Sequence, residues 1–367
     1  MVRGWATSPG GRHHGAHYAE AARALGARPV GLLDFSANIN PLGAPAAAIE
    51  AGEEALRREV GRYPDLYYPK LREALAGYLC LPPEMVLPTN GGAEALFLAA
   101  RAAADDSAGG KALILEPTFS EYAAAAHAAG FEISRVVTRR PETGFRLDLS
   151  VLDEALGDPD GIGLVFLCNP NNPTGDATPR EEVLRMAERV RAVGAFLVVD
   201  EAFVDFAPEL SIAPEVDEFL FVARSFTKFF AVPGLRLGCL LARDTEHARS
   251  FQPSWPVNGV AAAVGVAATK DAAFTKATLA EVGLRRRELF SALRRMPGMK
   301  VYSGAANFLL VRGPETLAEG LAGRGVLIRS CEPFPGLGPG FFRVAVRTEE
   351  ENAQLVKTLE GVLEGTP

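Results

Sequence analysis

The stretch SFTKFFAVPGLRLG, Ser225–Gly238, sets one lysine between a hydroxyl pair and two phenylalanines, with an arginine eight residues later. Apolar neighbours desolvate an ammonium and lower its pKa, which suits a lysine that forms a Schiff base. Ser225 and Arg236 supply a hydroxyl and a fork of donors, the set a tetrahedral phosphate needs. A lone lysine is more often a solvated surface group, so this reading needs company. In VVDEAF, Asp200 follows the apolar run AFLVV. A carboxylate at the mouth of a buried sheet is costly without a cationic partner, and a protonated pyridine nitrogen is one such partner. Taken alone, an aspartate there reads as a helix cap. In CNPNNPTG, Asn172 precedes Pro173 in a rigid turn whose amide can donate to a phenolate oxygen. A bare Asn-Pro turn is commonplace, but the whole string is specific. In TNGGAEAL, Asn90, Gly91, Gly92 and Ala93 open a helix whose N–H groups and dipole can cradle phosphate, although Gly-Gly by itself is usually only a turn.

These four features converge on one ligand with a ring nitrogen, a ring oxygen, an aldehyde and a phosphate: pyridoxal 5′-phosphate. The motifs, in this order, resemble fold-type I pyridoxal-phosphate enzymes of the aminotransferase superfamily, from His14 to the last helix. The resemblance implies that Lys228 is the Schiff-base lysine and that Asp200 pairs the pyridine nitrogen. It assigns Asn172 to the ring oxygen, and Gly92, Ala93, Ser225 and Arg236 to the phosphate. Phe119, in EPTFSEY, matches the aromatic that stacks on the ring; otherwise it is a core phenylalanine. Tyr63, in RYPD, matches a tyrosine that reaches the phosphate of the neighbouring subunit, which implies a homodimer with shared active sites. Phe203 stands where many relatives carry a tyrosine.

Within the superfamily the chain is similar to histidinol-phosphate aminotransferases and, more closely, to L-threonine-O-3-phosphate decarboxylases of cobalamin biosynthesis. HGAHYAEAARALG, LLDFSANINPLG and VLIRSCEPFPGLGPGFFRVAVRT carry the second likeness. One departure is His14-Gly15-Ala16, where those decarboxylases begin His-Gly-Gly. Both groups handle a phosphorylated amine, so a further cationic site is expected. Arg329 is expected to clamp the substrate phosphate and Arg343 the carboxylate, with His14 and Asn38 closing over the substrate. Histidinol-phosphate or related amino transfer stays open as the alternative activity. The intact Lys228, Asp200, Asn172 and Arg236 argue against a relative that only binds.

The elements that must position these residues alternate. Short apolar strands at 111–115, 131–137, 163–168, 195–199, 219–223 and 237–242 are separated by helical patterns such as Glu121–Ala129 and Pro179–Val193. Near-continuous apolar strands between helices predict an α/β fold with a mostly parallel central sheet covered on both faces. Ligands in such sheets sit beyond the strands' carboxyl ends, where the motif residues fall. After about Phe251 the texture changes to a long helical tract at 257–296, short strands at 307–311, 326–329 and 342–346, and a last helix at 349–363. This predicts a smaller α+β domain, giving an N-terminal segment at 1–44, a large cofactor domain at 45–250 and a small domain at 251–367.

The net charge of −7 argues against a broad nucleic-acid surface but leaves room for a local cationic pocket. Cys80, Cys168, Cys239 and Cys331 are far apart, with no metal-ligand spacing and no disulfide framework. They read as reduced thiols of a cytoplasmic protein. The opening MVRGWATSPGGRHHG lacks the apolar core of a signal peptide, and no apolar run is long enough for a membrane span. No metal is expected.

Overall fold

The computed structural model describes residues 32–107, 110–158 and 160–364. The chain runs through β1 (Leu33–Asp34), α1 (Ala46–Arg58), α2 (Pro69–Leu79) and β2 (Val86–Asn90), which passes directly into α3 (Gly91–Asp106). Then come β3 (Lys111–Glu116), α4 (Glu121–Ala128), β4 (Glu132–Val137), α5 (Leu149–Leu156) and β5 (Ile162–Cys168). They are followed by α6 (Arg180–Ala192), β6 (Phe196–Asp200), β7 (Leu220–Ser225) and β8 (Leu237–Leu241). Strands β2 to β8 form one sheet in the order β2-β8-β7-β6-β5-β3-β4, parallel except that β8 runs against both its neighbours.

Alternation along each strand feeds two cores. On β5, Leu164 and Phe166 pack with Ala95, Leu96 and Tyr122 under α3 and α4, while Val165 and Leu167 pack with Val183, Met186 and Val190 of α6. Both faces are therefore covered, which is why these strands read as unbroken apolar runs. The register sets Cys168 beside Asp200, Asp200 beside Ala223 and Ser225 beside Gly238, so the polar residues that end β5, β6 and β7 share one edge.

The remaining chain forms α7 (Thr245–Ser250), α8 (Gly259–Ala268), α9 (Ala272–Arg294), β9 (Lys300–Tyr302) and β10 (Phe308–Arg312). It ends with α10 (Leu317–Ala322), β11 (Val326–Leu327), β12 (Arg329–Ser330), β13 (Phe341–Ala345) and α11 (Glu349–Glu364). An antiparallel sheet of order β12-β13-β10-β9 results, and β1 pairs in parallel with β11. The expected single strand at 326–329 is thus two strands, one in each sheet, divided at Ile328. Strand β2 was not anticipated: Pro88 cannot donate to a ladder, and β2 is tolerated as an edge strand paired only with β8.

Where β2 turns into α3, β8 passes so close that side chains have no room. A Cβ on Gly238 would lie 2.5 Å from the carbonyl carbon of Gly91, and 2.6 Å from both the Arg224 oxygen and the Gly92 nitrogen. All three are backbone atoms, so none can swing away. The Gly238→Ala variant is therefore expected to lose about 3 kcal/mol, at the upper end of the usual cost of overpacking. Denaturant unfolding would measure this; a loss below about 1 kcal/mol would show that the junction relaxes.

Candidate active site

The carboxyl edge of the seven-stranded sheet opens into a cavity of about 290 Å³. Asp200 sits at its floor and is 5% exposed. It ends β6, and its Oδ1 accepts the Ala202 N–H at 2.9 Å, tying the turn that follows. Its Oδ2 accepts the Tyr122 hydroxyl at 2.7 Å. Burial raises the carboxyl pKa, while the Tyr122 hydroxyl and the Lys228 charge oppose the rise. The residue is therefore a turn cap and a cavity carboxylate at once.

Lys228 follows β7 and faces the same cavity. Its Nζ donates to Ser225 Oγ at 3.0 Å and lies 5.8 Å from the centre of the Phe203 ring. Burial pushes its pKa down to about 8; Asp200 pulls the other way and Arg236 adds to the fall. About a tenth of the amine is therefore unprotonated at pH 7, far more than of a free lysine, which suits a nucleophilic amine.

The start of α3 has the geometry of a phosphate cradle. An α-helix leaves its first N–H groups without intrahelical partners. Asn90 does not cap them with its side chain, whose amide donates instead to the Pro256 oxygen at 2.8 Å, and its own N–H is taken by Glu94. Gly92 and Ala93 line the cavity beside Ser225 and Arg236. A Cβ on Gly92 would meet the Ser225 Cβ at 3.0 Å, and one on Gly91 would meet the Arg236 guanidinium at 2.7 Å. The missing side chains let backbone, hydroxyl and guanidinium converge.

Phe119 and Asn172 line the opposite wall. The Asn172 oxygen accepts from Arg343 Nη1, which leaves its NH₂ group as the donor. Arg343 also donates to the Ser36 carbonyl at 3.0 Å, and the Asn38 amide oxygen, correctly oriented, accepts from it at 3.2 Å. Arg343 and Arg329 stand directly opposite each other on β13 and β12, 7% and 6% exposed, and both line the cavity. Burial lowers both, Arg343 to about 10.

Eleven of the sequence-derived residues thus meet in one cavity: Asn38, Gly92, Ala93, Phe119, Asn172, Asp200, Ser225, Lys228, Arg236, Arg329 and Arg343. Tyr63 does not line it; it is 78% exposed and stacks on Trp255 at 4.3 Å. His14 lies outside the described residues. Sequence reasoning missed Tyr122, Ser36, Cys168 and Phe334. Tyr122 carried a signal, since it sits three residues after Phe119 on the first turn of α4, one helical face from it.

A lysine held near neutrality, a buried carboxylate across the floor and an uncapped helix start with a serine and an arginine fit pyridoxal 5′-phosphate at its aldehyde, ring nitrogen and phosphate. Fold and site together define a pyridoxal-phosphate enzyme, and residues 30–359 match the family "Aminotransferase class I and II". The chain belongs to that family, which depends on this cofactor. It is 39% identical over 364 residues to the threonine-phosphate decarboxylase of Salmonella typhimurium strain LT2, covering 96% of this chain and 97% of the relative. Its fold matches the L-threonine-O-3-phosphate decarboxylase of Porphyromonas gingivalis with a TM-score of 0.78 at 25% identity, over 91% of this chain and 100% of that one. It also matches the histidinol-phosphate aminotransferase of Clostridium acetobutylicum with a TM-score of 0.83 at 28% identity, over the same 91% and 100%.

The depressed Lys228 pKa is also a stability statement. Below pH 8 the amine is charged in both folded and unfolded chains, and burying it costs the fold about 3 kcal/mol. As pH rises from about 8 toward 10.5, the folded state sheds its proton first and stability climbs. In cofactor-free protein, Lys228→Met is therefore expected to be more stable than the parent at pH 7 by about 2–3 kcal/mol, the gap closing by about pH 10.5. Denaturant unfolding across this range measures it; a gap that does not change with pH would contradict the assigned pKa.

Proposed function

We propose that this enzyme is a pyridoxal-phosphate-dependent carboxy-lyase that converts L-threonine O-3-phosphate to (R)-1-amino-2-propanol O-2-phosphate, a step toward cobalamin. The observation that carries the reading is the buried pair of Arg329 and Arg343, opposite each other across an antiparallel ladder. Like charges directly opposite are destabilising, and burial adds to the cost. A substrate bearing both a phosphate and a carboxylate relieves that repulsion on both sides. Histidinol phosphate carries a single anionic group for the two guanidiniums.

The bound cofactor supplies an electron-withdrawing ring that takes up the charge left at Cα when carbon dioxide departs. Asp200 would hold a proton on the ring nitrogen, with its own position fixed by Tyr122 and the Ala202 N–H. Arg343, braced by Asn172 and the Ser36 carbonyl, would seat the carboxylate and so orient the bond to be broken. Arg329 would hold the substrate phosphate. Lys228, poised near pH 8, would exchange with the substrate amine and return a proton to Cα. Phe203 and Phe334 wall the cavity and would help to exclude water.

We place the functional units at 1–44, 45–250 and 251–367. Leu56, Val60, Tyr63, Tyr67 and Trp255 are exposed apolar side chains, and a second copy of the chain would bury such a surface. Tyr63 would then reach the neighbouring site in a homodimer. All four cysteines are free and no described helix is long and apolar enough to cross a membrane; we take the setting as cytoplasmic, with a small phosphorylated substrate and a second copy of the chain as partners.

Two assays on cofactor-loaded protein test the activity. Carbon dioxide release from L-threonine phosphate is expected, without 2-oxoglutarate-dependent turnover of histidinol phosphate; the reverse pattern would make the chain an aminotransferase. Arg329→Ala is expected to raise KM for threonine phosphate by about 30-fold, from loss of about 2 kcal/mol of charge-assisted bonding. For the assembly, light scattering should report twice the chain mass, and Tyr63→Ala should weaken cofactor binding; a monomer with full cofactor affinity would exclude the shared site.

A further inference from the structure

A second cavity lies away from the active site, between the loop and turn segments at 143–146 and 176–177 on one side and α9 with β9 on the other. It holds about 880 Å³, in the range of pockets that take small organic ligands. Its lining is basic in an acidic protein: Arg146, Arg294 and Lys300 face it, against the single carboxylate of Asp176.

Those three cations form no ion pair among the described residues, and Lys300 only lies over the Tyr302 ring at 4.9 Å. Asp176 offsets them only in part, through its field on Arg146. Its Oδ2 lies 3.6 Å from Nε of Arg139, a fully buried guanidinium with no hydrogen bond of its own, so its charge is matched by that residue. Tyr302, also in the lining, is 4% exposed, and its hydroxyl is buried with no hydrogen-bond partner. A buried hydroxyl without a partner costs free energy unless something supplies one.

The cavity also has a physical connection to the active site. Phe145, Tyr302, Phe334 and Phe341 share one small apolar cluster. Tyr302 lines the basic cavity and Phe334 lines the active cavity. Phe145 is fully buried in that cluster, 4.8 Å from the Tyr302 ring, and its φ of +66° is unfavourable for a bulky side chain. It follows Gly144 and precedes Arg146, which both line the basic cavity. A strained aromatic thus stands between the two sites, where strain often marks a functional segment.

We propose that this cavity is a second anion site, separate from the catalytic one, that takes a phosphorylated small molecule. Two guanidiniums and an ammonium match phosphate oxygens, the Tyr302 hydroxyl completes the donor set, and the volume admits more than a single phosphate. Occupancy bears on the active cavity through Tyr302, Phe145 and Phe334.

Titration calorimetry of cofactor-saturated protein with inorganic pyrophosphate tests the site without reading activity. One pyrophosphate per chain is expected to bind in the parent and in Arg329→Ala, where the anion subsite of the active cavity is damaged. Affinity should fall at least tenfold in an Arg294→Ala, Lys300→Ala double variant and in Arg146→Ala, with melting temperatures confirming that each is folded. No saturable heat with millimolar pyrophosphate overturns the proposal. So does binding that survives both cavity variants, or binding that disappears in Arg329→Ala, since the probe then sits in the catalytic cavity.

Discussion

The attraction between Asp200 and Lys228, set against the desolvation of both, is the constraint on which the rest of this structure depends. Burial drives the carboxyl pKa up and the amine pKa down, each toward its neutral form. Their mutual field opposes both shifts. The Tyr122 hydroxyl and the Ala202 N–H add hydrogen bonds to the carboxylate alone. The asymmetry favours charge on Asp200 beside an amine that gives up its proton more readily than a free lysine. That is the combination needed to keep a cation on a ring nitrogen while freeing an amine for attack.

Strand alternation holds this pair in place. Asp200 and Ser225 face the cavity, while their neighbours Glu201 and Arg224 meet away from it, Nη1 to Oε2 at 2.9 Å. Arg224 also bonds Asp205, which accepts from the Tyr78 hydroxyl at 3.0 Å; Glu201 accepts from the Ser211 hydroxyl at 2.8 Å and from the Ile212 N–H at 2.7 Å. A buried ion pair is weak evidence for stability, because desolvation consumes most of its Coulomb energy. Its effect here is geometric: it fastens the end of β6 to the end of β7, so the two cavity residues cannot slip in register. Breaking it would leave a buried charge uncompensated, so the network tolerates little change.

What the sequence made legible follows from where chemistry interrupts an apolar pattern. Asp200 stops a run of β-branched and aromatic residues, Asn172 sits in a rigid turn after another, and Lys228 breaks an aromatic stretch; each is conspicuous locally. Strand β2 was hidden by Pro88, which argues against a ladder everywhere except at an edge. The role of Tyr122 was not legible, because its importance lies in a bond to a residue 78 positions away. The facing of Arg329 and Arg343 depends on strand register, which no local pattern encodes. The basic cavity was invisible for the same reason: Arg146 and Lys300 meet only because two parts of the fold dock, and neither is remarkable in its own segment.

That docking also brings the two cavity arginines in from the small sheet to face the lysine of the large one. Arg343 bonds Asn172 of the large-sheet turn and the Ser36 carbonyl of the entry segment, so one guanidinium joins three parts of the chain. Gly175 of the same turn packs against Gly304, and its carbonyl accepts the Ala305 N–H at 2.8 Å; a Cβ on Gly304 would sit 2.9 Å from that oxygen. Backbone against backbone at this point leaves no side chain to rearrange. The position of Arg343 relative to Lys228 is thereby held in part by contacts outside the cavity. An enzyme of this kind selects its reaction by which bond at Cα it holds aligned with the cofactor ring, so the angle between these two parts of the chain bears on which bond is held there.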